Sequence, residues 1–94
     1  MSTSKRYQSV WEAIEPDAIE AENLKLRSLL MVEIDRYVKE SGLTQAEAAK
    51  LMKTTQPRLN DVLQGKIEKC TIDRLVNMLA AVGRHVSLHV SDAA

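Results

Sequence analysis

Through most of the chain the apolar residues recur at intervals of three and four, the spacing of helices with one buried face; only between His85 and Val90 do they alternate. Leu26, Leu30, Ile34 and Tyr37 or Val38 make one stripe, while Lys25, Arg27, Glu33, Asp35 and Lys39 fall on other faces. The spacing therefore predicts a long helix from near Ala18 to Ser41, stopped by Gly42 in a left-handed C-cap. Ahead of it, Ser9-Val-Trp-Glu12 and Asp17-Ala-Ile-Glu20 each set a side-chain acceptor three residues before a glutamate, the signature of a capping box. Pro16 parts the two, so a short helix over Val10 to Ile14 is expected before the long one.

Thr44-Gln-Ala-Glu47 is a third box and opens a short helix through Ala48, Ala49, Leu51 and Met52. Another short helix follows, with Thr55 as cap, Pro57 in its first turn, Leu59, Val62 and Leu63 inward and Gly65 as its stop. Thr71 caps a further helix whose Ile72, Leu75, Val76, Leu79 and Val82 face inward, and Gly83 closes it. The alternating Val86, Leu88 and Val90 predict a half-buried strand with no second strand in the chain to pair with. Its simplest partner is the same strand of another copy, so those three residues are expected to dimerise the protein. The pattern is an all-α bundle of about five helices with a short C-terminal strand. It divides into an extension over 1–16, a domain over 17–83 and a strand and tail over 84–94.

Size supports that division, because 94 residues at 45% apolar content fill one core and not two. No apolar stretch is long enough to span a bilayer and no secretory leader is evident, so the chain is expected to stay in the cytoplasm. Cys70 is the lone cysteine, which leaves no internal disulfide and no cysteine-based zinc cluster, and it reads as a small core residue. Formal charge is zero, but residues 1–43 hold six basic and eight acidic side chains and residues 44–69 hold five and three. The modest positive balance lies over the two short helices.

Two short helices joined by the four-residue turn Met52 to Thr55, with a longer helix on each side, make a helix-turn-helix arrangement. Ala46, Ala48 and Ala49 let the short helices cross closely, and Gln45 at a helix start can help clasp a phosphate. The second short helix offers Gln56, Arg58, Asn60 and Asp61 toward its N-terminal half. Gln and Asn pair with adenine, Arg with guanine, and a carboxylate can accept from cytosine N4. Asp61 has a second reading, in which it pairs with Arg58 across a turn and repels phosphate. Lys66, beyond Gly65, is placed for a phosphate.

The stretch from Thr44 to Lys66 resembles the helix-turn-helix of the XRE/Cro class, the lambdoid phage repressors and their bacterial relatives. The resemblance rests on Thr-Gln-x-Glu-x-Ala, Thr-Gln-Pro-Arg and Leu-x-Gly-Lys at that spacing, over about a quarter of the chain. It implies a lambda-repressor-like bundle, with Gln45, Thr55 and Lys66 as backbone clamps and Gln56, Arg58 and Asp61 as base readers. The turn departs from the family pattern: Lys53 and Thr54 stand where a glycine and an apolar residue are usual. Lys53 then has to take a positive φ at some cost, and Thr54 brings a hydroxyl toward the core. The flanks, Val10-Trp-Glu-Ala-Ile-Glu, Ala21 to Ser28 and Ile72 to Leu79, resemble the HigA-type antitoxin subgroup. That resemblance implies a dimer that represses its own operon and binds a RelE/HigB-like toxin. Stand-alone regulators of the same class have no toxin.

Other chemistry finds little support. His85 and His89 on a strand stand about 13 Å apart, too far to share a metal ion. No Ser/His/Asp or Cys/His set and no glycine-rich phosphate loop occurs, so neither an enzyme nor a cofactor site is expected. Trp11 with Tyr7 and Ile14 serves either as a hook for a partner or as a staple over the core.

Overall fold

The computed structural model describes residues 16–92. Within them run four α-helices and one 3-10 turn: α1 Pro16–Ser41, α2 Gln45–Leu51, α3 Gln56–Leu63, the turn Ile67–Lys69, and α4 Ile72–Ala81. The short helix expected over Val10 to Ile14, and the roles weighed for Tyr7 and Trp11, lie outside the described residues.

Local chemistry explains where α2, α3 and α4 begin, whereas α1 is already helical at Pro16, so Asp17, expected as its cap, lies inside the helix instead. Thr44 Oγ1 accepts from the Glu47 N–H at 3.2 Å while Glu47 Oε1 accepts from the Thr44 N–H at 2.9 Å, so the capping box closes in both directions. Thr55 caps α3 by accepting from the Arg58 N–H, and Thr71 caps α4 by accepting from that of Arg74, both at 3.3 Å.

The core draws on every helix. Ile34 of α1, Met52 at the end of α2, Leu59 of α3, and Leu75 and Met78 of α4 are fully buried, with Met31, Ala48, Ala49, Val62, Cys70 and Leu79 filling between them. Burying side chains of this size contributes about 1.5–3 kcal/mol each. The two buried alanines of α2 let it sit close against α3, and α1 lies along α4 and α3.

One member of the expected α1 stripe falls outside. Leu26 is 47% exposed, and Met31, between the stripe positions, is buried instead. The reason is tertiary: residues 17–23 are exposed and Leu24 is half-buried, because the first turns of α1 run past the end of the bundle. Arg27 marks where the contact begins. Its guanidinium donates to the carbonyls of Ile67 and Cys70 at 3.0 and 3.3 Å and to Asn23 Oδ1 at 2.7 Å.

The expected C-terminal strand is not formed among the described residues. From Arg84 the chain leaves α4 with the guanidinium carbon 5.4 Å from the centre of the Tyr37 ring, and the tail beyond has no ladder partner. Val86, Leu88 and Val90 are 46%, 78% and 79% exposed. Alternation of apolar residues shapes one side of a strand but cannot supply the second strand that satisfies its backbone.

Candidate nucleic-acid interface

Helix α3 has two sides with opposite fates. Leu59 and Val62 seat it in the core, while Gln56, Pro57 and Arg58 at its N-terminal end are exposed. Anchors one turn apart fix the helix about its own axis, so the outward residues are held by the same packing that buries the inward ones. Gln56 and Arg58 are the freest of the residues expected to read bases. Thr55 keeps a role open too, because its oxygen accepts the cap hydrogen bond while its O–H remains able to donate.

The other candidates are tied into pairs. Gln45 Nε2 donates to Asn60 Oδ1 at 3.4 Å, linking the first residue of α2 to the middle of α3. Asn60 is thus half-buried and uses its acceptor within the protein, and a two-point contact with adenine requires that acceptor to be shared or released. Asp61 does not pair with Arg58. Its Oδ1 lies 3.8 Å from Lys66 Nζ, and both side chains are partly exposed. The partnership follows from Gly65, whose φ of 74° turns the chain back so that the Lys66 N–H bonds the Asp61 carbonyl at 2.9 Å. An ion pair of this exposure is weak, so a phosphate can compete for Lys66.

Cys70 sits beneath this corner, 4% exposed, with its thiol donating to the Lys66 carbonyl at 3.4 Å. Burial above all, then the charges of Asp61 and Glu68, push its pKa up, so it stays protonated and serves packing. Together with Arg27, it fixes the segment that carries Lys66. The hold of Arg27 on this segment had no local signal, since the two carbonyls it bonds there lie 40 and 43 residues away.

The turn between α2 and α3 has the conformation its sequence implies. Lys53 takes a φ of 55°, and the Thr54 hydroxyl is buried without a hydrogen-bond partner among the described residues. Among those residues no three His, Cys, Asp or Glu side chains gather into a metal-sized cluster, and no helix is long and apolar enough to cross a membrane.

The resulting surface is a fixed helix end with a guanidinium and an amide outward, flanked by hydroxyl and ammonium donors at Thr55 and Lys66. Such a set matches the edges and phosphates of a duplex groove. A search of curated proteins found no match to the chain. Residues 15–91 match a family model described as a helix-turn-helix domain, and since that span is most of the chain, the protein belongs to this helix-turn-helix family.

Proposed function

We propose that the protein is a sequence-specific DNA-binding transcriptional repressor. The supporting observation is the seating of α3: Leu59 and Val62 are buried while Gln56 and Arg58 stand exposed at the end that enters a major groove. In this reading Gln56 and Arg58 contact base edges, and Gln45, Thr55 and Lys66 hold the backbone. Asn60 and Asp61 contribute through their pairs as well as directly. Two copies would set two such helices over a pseudo-palindromic operator about 34 Å apart. The protein acts by binding, without catalysis or a cofactor, in the cytoplasm.

Arg58→Ala tests the assignment. It is expected to weaken operator binding by about 1–3 kcal/mol and to relax preference at one base position. Titrations against a set of single-base operator variants read this directly, and an equal loss on every sequence would remove Arg58 from base reading.

The finer reading is that the repressor is the antitoxin of a type II toxin-antitoxin pair, neutralising a RelE/HigB-like toxin and controlling its own operon. The flanking resemblance supports it, and so does a long helix whose first turns project from the bundle with Asp17, Glu20 and Glu22 exposed. The open edge of the tail at Val86, Leu88 and Val90 offers a place for a strand of another chain. Co-expression with the product of the adjacent gene decides between this and a stand-alone regulator. An antitoxin co-purifies with that product and restores growth; a regulator alone does neither.

A further inference from the structure

One face of α1 is left uncovered by the bundle. Leu26, Leu29 and Val32 are 47%, 55% and 54% exposed, and Glu22, Lys25, Glu33 and Arg36 surround them. At about 100° per residue this face lies about 140° and 200° around the helix from the buried Ile34 and Met31, which point into the core. An apolar row hemmed by both signs of charge has the composition of a helix-helix contact.

The order of the charges selects the occupant. Let a second α1 lie antiparallel on the first, with a two-fold axis through Leu29. Each residue then meets the one equally far on the other side of Leu29. Leu29 meets Leu29, Leu26 meets Val32, Glu22 meets Arg36, and Lys25 meets Glu33. Among these seven residues every apolar position faces an apolar one and every charge faces its opposite, which is the self-complementarity that an isologous interface requires. Other arrangements fail on the same residues. A parallel pair sets Glu22 on Glu22 and Lys25 on Lys25. Sliding one antiparallel copy by three residues brings Lys25 opposite Arg36 in one direction, or Glu22 opposite Glu33 in the other.

We propose that two copies of this chain associate through the exposed Leu26-Leu29-Val32 face of α1, antiparallel about Leu29. Within one copy Arg36 lies 3.3 Å from Glu33, a partly exposed pair that is weak and easily shared with a neighbour. The core lies on the other side of α1, so α3 keeps its outward residues. The surface is distinct from the tail, whose edge then remains open for a different strand.

Sedimentation of the full chain at micromolar concentration tests this. The wild type is expected at twice the 10.5 kDa chain mass, and Leu29→Glu at once that mass with unchanged helicity and a still cooperative thermal transition, whose midpoint no longer depends on concentration. Arg36→Glu is expected to shift the mass toward a single chain, and the swap Glu22→Arg with Arg36→Glu to restore the dimer, which no loss of folding could mimic. Leu29→Cys should form a symmetric disulfide across the axis, since Cys70 is buried and does not compete. A monomeric wild type overturns the proposal, as does a dimer that survives Leu29→Glu. A dimer abolished by Leu88→Asp but kept by Leu29→Glu overturns it in favour of the tail. None of these readings depends on DNA, so they stand apart from the operator titrations.

Discussion

Helices α2 and α3 end in the same way on paper and differently in chemistry. After α2 the Lys53 N–H bonds the Lys50 carbonyl at 3.1 Å and the Thr54 N–H bonds that of Ala49 at 3.0 Å. After α3 the Gly65 N–H bonds Val62 and the Lys66 N–H bonds Asp61 at 3.0 and 2.9 Å. Both are Schellman stops, which need a residue with positive φ just past the cap and favour an apolar residue next to it. The second uses Gly65. The first forces Lys53 to a φ of 55° and follows it with a threonine whose buried hydroxyl has no partner among the described residues. So the joint that aims α3 is the less stable of the two, held by its surroundings rather than by its own preferences.

Substitutions can invert that contrast. The largest effect is expected from Lys53→Pro, which can neither reach φ 55° nor supply the N–H that bonds Lys50. A loss of at least about 3 kcal/mol should appear in urea denaturation. Gly65→Ala is next, at about 1–2 kcal/mol. An added Cβ there meets nothing within 4 Å, so the cost is purely that of the backbone and operator contacts should survive in the folded fraction.

The opposite changes should stabilise. Lys53→Gly is expected to gain up to about 1 kcal/mol by relieving the left-handed strain, and Thr54→Val about 1 kcal/mol by removing the unbonded hydroxyl. If Lys53→Gly also weakens DNA binding on all sequences alike, its ammonium contacts phosphate; unchanged binding confines the residue to the turn. The smallest effect belongs to the start of α2. The hydrogen bonds between Glu47 and Thr44 lower the Glu47 pKa below its ordinary value. With the folded pKa the lower one, this contribution is present above the unfolded carboxylate pKa and fades as pH falls through the folded one. Comparing wild type with Glu47→Gln in acid denaturation isolates it: the variant should lose less stability on acidification.

Much of the fold was legible because its signals are local. Thr44 with Glu47, Thr55 with Pro57, Thr71, and Gly42, Gly65 and Gly83 each act within four residues, and each sits where its chemistry implied. Gln56 and Arg58 are exposed as expected because they stand in the first turn of α3, whereas Asn60 and Asp61, which helical spacing sets farther round from Leu59 and Val62, are half-buried by their neighbours. What was not legible depends on distant neighbours. Nothing near Arg27 announced the carbonyls of Ile67 and Cys70, and nothing near Asn60 announced Gln45. Asp61 chose Lys66 over Arg58 because Gly65 folds the chain back on itself.

By itself, then, the sequence settled the identity of α1 to α4, the starts of α2, α3 and α4, the glycine stops and the strained turn at Lys53, since caps, glycines and periodicity act through bonds and contacts a few residues long. The tertiary structure alone decided how far α1 outruns the bundle, which polar groups are tied together, and that the alternating tail finds no ladder among the described residues. Burial and pairing depend on what another part of the chain brings alongside, and a one-dimensional pattern carries no record of it.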